Sequence, residues 1–348
     1  MIARLLIGLA ALAAAAAPAL AQPPVPPKPL FASSELLRLT IRGPVSAIAR
    51  SRSQERLPGT LTVAGSGTEL PISLAARGIT RLQPDICQFP PLWVRFPSPL
   101  PADSVFAGQK SLKLVTHCRG SASFQQHVLL EYAAYKMFNA LTPASFRVRL
   151  ALIDYVDEGG KAVASRYGFF IEDLGDVARR NALQEAKLPS RIPTTALNGP
   201  AAARYALFQH MIANHDWSMR AGPAGDECCH NAKMIAPARG VAAGAIPVPY
   251  DFDYSGFVNA PYATPPDLLK ISSVRQRQYR GYCSLNNQML ATAVQFQAAR
   301  PAMLAAIAGT PGIEPRTVRS ATAFLEPFFA DIASPETLKA KVFKTCIP

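Results

Sequence analysis

The chain has 348 residues, 49% of them hydrophobic, and its 36 Lys and Arg outweigh 23 Asp and Glu to give a formal charge of +13. That is enough for a sizeable core in one large two-lobed unit or two ordinary domains. The basic balance suits an anionic partner, but no block of five or more Lys/Arg occurs, which argues against a nucleic-acid stripe.

The N-terminus reads as a signal peptide over residues 1–21. Arg4 supplies the positive start, Leu5 to Ala17 form an uncharged apolar run, and Pro18 precedes the small-x-small site Ala19-Leu20-Ala21. Cleavage there begins the mature chain at about Gln22, in the periplasm or secreted. The apolar run is too short to span a membrane comfortably and nothing later approaches 18 apolar residues, so no membrane anchor is expected after cleavage. Residues 22–34 open with a Pro-rich stretch and are predicted to be a linker. Six cysteines in an exported chain favour disulfides, with Cys87 and Cys118, in neighbouring predicted strands, the first pair to join. Cys228-Cys229-His230 lacks the C-x2-C spacing of a zinc site.

From Glu35 onward the pattern is β-like. Leu37 to Ile41, Gly59 to Val63 and Ile72 to Leu74 alternate in polarity, with turns at Gly65-Ser66-Gly67 and Arg77-Gly78. Further strands are predicted at Leu92 to Phe96 and Ser111 to Thr116. His127 to Leu141 reads as an amphipathic helix, and Phe146 to Tyr155 and Tyr167 to Glu172 as a hairpin. Beyond Asp173 the expected helices are Ala201 to Ala213, Leu285 to Ala299, Ala302 to Ala308 and Val318 to Ile332. Gly222 to Gly244 is expected to be loop, and Ile246 to Asp251 an apolar strand ending in acids. The resulting expectation is α+β, with a β-rich N-terminal lobe at 35–173 and a helical C-terminal lobe at 174–348.

The chemistry-bearing stretch is Asn214-His215-Asp216-Trp217, then His230-Asn231, then Tyr250-Asp251-Phe252-Asp253. Phosphoryl transfer uses such a set: one Asp orients the attacking hydroxyl, while an Asn and an Asp hold Mg2+ through oxygen ligands. Asp216 is the candidate catalytic residue, and Asn231, Asp251 and Asp253 are the candidate metal ligands. Lys113 on a short strand and Glu131 on the next helix could pair to hold the phosphates of ATP, as a strand lysine and helix glutamate do in kinase-like folds. Their ordinary alternative is a solvated lysine and a solvated glutamate. His215 beside Asp216 could also be a base with its orienting carboxylate, although sequence neighbours rarely form that geometry.

Arg77-Gly78-Ile79-Thr80-Arg81, Leu92 to Phe96, Leu112 to Val115, Glu131 to Leu141 and Tyr167 to Glu172 follow an order similar to that of the spore-coat-H-like (CotH) secreted kinases. Asn214-His215-Asp216 resembles that family's N-x-D, and Tyr250 to Asp253 its W-D-x-D. The resemblance is motif-deep, over roughly residues 70–260. It implies a two-lobed atypical protein-kinase-like fold with Asp216 catalytic, Asp251 the magnesium ligand and Asp253 the next choice. It also implies that Glu172 closes the nucleotide site and that the acceptor is a hydroxyl of a protein substrate. Pro90-Pro91 stand where the family's strand opens with lysines, Asn231 follows Asp216 by 15 residues, and no G-x-G-x-x-G loop is present. An inactive kinase-fold binding protein therefore remains an alternative, as does an envelope glycan hydrolase using Asp216 and Asp251.

Overall fold

The computed structural model describes residues 25–223 and 225–348, so the expected signal segment lies outside the described residues. Seven strands form the first half: β1 (Leu37–Arg42), β2 (Leu57–Val63), β3 (Glu69–Ala76), β4 (Leu92–Arg95), β5 (Ser111–Val115), β6 (Val148–Val156) and β7 (Ala162–Ile171). Helices α1 (Pro29–Ala32), α2 (Val45–Ser51) and α3 (Ala122–Asn139) lie between or before them. The second half carries α4 (Leu174–Arg180), α5 (Gly199–Met211), α6 (Met289–Ala308), α7 (Pro315–Asp331) and α8 (Pro335–Lys341). A small antiparallel sheet of β8 (Gln184–Glu185), β9 (Ala232–Ala236) and β10 (Ile246–Pro249) sits among them.

The seven strands close into a barrel in the order β1-β2-β3-β4-β5-β7-β6. Every neighbouring pair is antiparallel except β1 and β6, which run parallel with Leu39 opposite Ile153. Polarity alternation sets the two faces. In β1, Leu37, Leu39 and Ile41 are buried while Arg38 and Arg42 are exposed. In β7, Phe170 joins Ile41, Leu61, Leu74, Val94 and Ile153 inside the barrel. Its neighbour Phe169 faces outward and packs edge-on against Tyr132 and Tyr135 of α3. Gly168 lets β5 and β7 approach, since a Cβ there would lie 2.6 Å from the Val115 carbonyl oxygen.

The two-lobed kinase-like architecture expected from the sequence is overturned by this closure. The parallel β1–β6 pairing removes the open edges that a separate β lobe would have. One continuous core also runs from the outer faces of β6 and β7 through α3 and α5 to α6 and α7, joining the barrel wall to the helices. Two smaller expectations change as well. Helix α6 passes through Pro301 unbroken, because buried Phe296, Met303 and Ile307 hold both sides of it in the core while proline removes only one backbone donor. Strand β9 forms within the stretch expected as loop, where Met234 and Ile235 are buried.

Cys87 is bonded to Cys118 and Cys283 to Cys346, so the first expected pair forms. Cys228 and Cys229 are joined to each other, which leaves no thiolate for zinc and no free cysteine among the described residues. No described helix is long and apolar enough to cross a membrane. Within the expected linker, Leu30 and Phe31 are buried in the barrel core, which makes this segment part of the fold. Leu30→Ala is accordingly expected to cost about 2–5 kcal/mol in urea unfolding, whereas a detached linker would show no change.

Candidate functional site

The turn that follows β3 carries Arg77-Gly78-Ile79-Thr80-Arg81, and it overhangs a cavity of about 450 Å3. Lys113 of β5, Lys233 of β9, the 226–231 segment, Asp216 and residues 250–254 beyond β10 complete its walls. Strand register explains the convergence: Lys113 lies opposite Trp93 on the β4–β5 pair, and Lys233 opposite Val248 on β9–β10. Of the seven sequence-predicted site residues, Lys113, Asp216, Asn231, Asp251 and Asp253 line this cavity.

Arg81 organises the acidic side. Its Nη1 lies 3.2 Å from Glu131 Oε2, its Nη2 2.8 Å from Asp251 Oδ1 and its Nε 3.3 Å from Asp253 Oδ2. Arg81, Glu131 and Asp253 are almost wholly buried, and the Asp251 side chain keeps 36% of its exposure. The three carboxylates place one oxygen each within 4.8 Å of one another, close enough to suggest a metal centre. The guanidinium already stands among them, so Arg81 is the cation of this cluster. Burial of three acids around one arginine pushes Glu131 and Asp253 above the ordinary carboxylate range. For Asp251 burial acts upward too, but Arg81, Arg77 and Lys113 prevail and hold it below that range. Tyr262 donates to Asp253 Oδ2 at 2.8 Å.

The expected Lys113–Glu131 pair does not form. Glu131 on α3 is taken by Arg81, whose planar fork reaches several carboxylates at once. The Lys113 ammonium instead lies 5.9 Å from the Trp93 ring centre and 5.3 Å from that of Tyr250. Glu172 also departs from expectation. Both its oxygens are held by Arg180 at 2.8 Å, and Oε2 accepts the Arg147 backbone N–H at 2.9 Å. It lines a smaller adjoining cavity with its hydrogen-bonding capacity already engaged.

Asp216 occupies the far wall. Its Oδ1 lies 2.6 Å from His230 Nε2, and its Oδ2 accepts the Asn231 amide at 2.9 Å. The same amide bonds the Asp216 carbonyl at 2.8 Å, and the Asp216 N–H is turned back onto the Asn214 side chain at 3.0 Å. The hydrogen bond that His230 donates to the Asp216 carboxylate raises the His230 pKa above its ordinary value. His215 takes no part in this: its Nε2 meets the Gln276 carbonyl oxygen at 2.9 Å, and burial lowers its pKa. Asn231 and Asp251 both adopt left-handed backbone, with φ of 48° and 63°. Asn and Asp are the non-glycine residues most tolerant of that region. Hydroxyls pin both turns, Tyr205 donating to the Asn231 carbonyl at 3.0 Å and Tyr135 accepting the Asp251 N–H at 2.8 Å.

Comparison with protein-family models and with curated proteins finds no match, so the reading of this site rests on its own geometry. The sequence reading missed Arg81 as the shared counter-ion, Lys233 as a wall cation, and His230 as the histidine that partners Asp216. The Arg77–Arg81 turn was visible as a motif, and its closing arginine was the available signal.

The raised Glu131 pKa has a signed consequence. As pH rises from about 4.3, the usual glutamate value, the unfolded chain loses this proton before the folded one does, so Glu131 lowers stability progressively toward neutral pH. Glu131→Gln should therefore gain stability relative to the native protein between pH 4 and pH 7 in matched thermal melts. A gap that stays constant with pH would contradict the assignment.

Proposed function

We propose that the cavity binds a magnesium–nucleotide such as ATP and transfers its terminal phosphoryl group to a protein hydroxyl, in a chain exported to the periplasm or secreted. The observation that carries this reading is the pairing of a fixed carboxylate with unneutralised cations in one cavity. Asp216 is oriented through both oxygens by His230 and Asn231, and Arg77, Lys113 and Lys233 share the space with it. Such a basic wall has no evident use in cleaving a neutral glycosidic bond, whereas it matches the charge of phosphates. Disulfides agree with an oxidising compartment.

The oxygen donors fit a hard cation only in part. Asp251 is half open, and its Oδ1 is shared with Arg81. The Asn231 side-chain oxygen has no protein donor among the described residues. Asp253 is engaged by Arg81 and Tyr262, which removes it from the ligand set proposed from the sequence. Asp251 and Asn231 would thus hold Mg2+, which supplies neutralisation of phosphate charge and commonly needs only one or two carboxylates. Asp216 accepts the proton of the acceptor hydroxyl as its oxygen bonds to phosphorus and the bond to the departing diphosphate breaks. Lys113 and its neighbouring cations position the phosphates. This role of the residues requires no kinase-like architecture. The N-x-D and D-x-D resemblance to CotH-type kinases supports the same chemistry and suggests the protein acceptor.

A second reading, nucleotide binding without transfer, is favoured by the engagement of Asp253. Calorimetry with ATP and Mg2+, followed by phosphate transfer to a generic protein acceptor, separates them. The transfer reading expects binding that survives Asp216→Asn within about threefold, with transfer reduced by about 10^2–10^4. Binding with no transfer by the native protein would select the second reading, and no Mg2+-dependent binding would refute both.

A further inference from the structure

Arg77, Lys113 and Lys233 form a group that none of the acidic chemistry accounts for. None of the three makes an ion pair, and none of their side chains makes a hydrogen bond to protein among the described residues. They are interleaved with two rings. Arg77 lies 5.6 Å from the Trp93 centre, Lys113 lies between Trp93 and Tyr250, and Lys233 lies 5.5 Å from Tyr250. The resulting order of neighbours is Arg77, Trp93, Lys113, Tyr250, Lys233, with Trp93 on the wall of the smaller adjoining cavity.

Aromatic faces offset part of a cation's lost hydration but accept none of its N–H donors in an ordinary hydrogen bond. The three charges also act on one another. Burial pushes the Lys113 ammonium down to about 8, and the charges of Arg77 and Lys233 add to that shift. Asp251 and Asp173 pull the other way without reaching ion-pair distance. Lys113 and Lys233 line both the 450 Å3 cavity and the adjoining one of about 160 Å3, so their ammonium groups stand at the seam between the two. The smaller space is walled by Trp93, Phe146, Ile171, Leu174 and Met234 as well as by acids.

We infer that these three cations are a polyanion clamp that binds two linked phosphate groups directly, without a metal ion. Two linked phosphates carry enough charge to offset three cations and present oxygens to every unmatched donor. A single small anion at the seam would leave at least one end of the row unmatched. The clamp deepens the phosphoryl-transfer reading by assigning the diphosphate portion of the ligand to Arg77, Lys113 and Lys233. It rests on that reading only for the identity of the full ligand. Lys113 on β5 and Lys233 on β9 sit on strands, which hold side chains more rigidly than the loops bearing Asp216 and Asp251, and Arg77 follows directly on the end of β3.

The test is titration of the full mature protein with inorganic pyrophosphate in the presence of EDTA, with sulfate as a single-centre control. The native protein is expected to bind pyrophosphate at least tenfold more tightly than sulfate. Lys233→Met should weaken pyrophosphate binding at least tenfold while thermal melting and the 280 nm difference spectrum show an intact fold. Lys113→Met should weaken it further, and Lys233→Arg should restore most of the affinity. Equal affinity for the two anions, or a Lys233→Met protein that is folded and binds pyrophosphate normally, overturns the clamp. Because no metal, nucleotide or turnover enters this measurement, its failure is distinct from failure of phosphoryl transfer, which Asp216→Asn reports in the magnesium assay.

Discussion

The site depends on one guanidinium. Arg81 joins a turn of the barrel to helix α3 through Glu131, and to the segment beyond β10 through Asp251 and Asp253. Three parts of the chain separated by 50 and then 120 or more residues meet at this group. Three carboxylates so close together would repel in a dry environment, where two like charges at 4 Å interact by about 4 kcal/mol even at an effective dielectric of 20. One arginine is what makes their convergence tolerable, and burial beside the other acids raises the proton affinity of Glu131 and Asp253. Removing one member of such a buried group leaves the others uncompensated, a far larger loss than that of any exposed pair in this protein.

That arrangement divides the cavity into two electrostatic regions. On one side Arg81 consumes the acids, leaving Asp251 as the partly exposed carboxylate with an oxygen to offer. On the other, Arg77, Lys113 and Lys233 lie against aromatic rings instead of carboxylates. Asp216 stands apart from both, fixed by an imidazole and an amide. The backbone strain at Asn231 and Asp251, each held by a tyrosine hydroxyl, is of the kind that persists when surrounding contacts overdetermine a position. Both residues point to the same cavity, which is where strain of that kind has a use.

The sequence was most legible where a short period repeats. Alternation in Leu37 to Ile41 and the apolar periodicity of α3 mark their elements, and the acids after β10 are visible as site residues from the sequence alone. Closure of the barrel was hidden because it depends on β1 lying parallel to β6, a pairing of distant segments that leaves no local mark. The partners of Glu131 were hidden for a related reason: spacing allowed Lys113, but side-chain reach and strand direction deliver Arg81. Glu172 entered the site only through the family resemblance, and Arg180, eight residues later on α4, claims it. His230 stands in the chemistry-bearing stretch beside Asn231, but its pairing with Asp216, 14 residues earlier, leaves no mark in the sequence.

The most direct measurement of this account is the unfolding free energy of Arg81→Met against the native protein at neutral pH. If one guanidinium is the shared counter-ion of Glu131, Asp251 and Asp253, the substitution should cost about 3–5 kcal/mol, the usual penalty for stripping one partner from a buried ion group. A loss below about 1 kcal/mol would mean that the carboxylates are stabilised by something else, and would contradict the account.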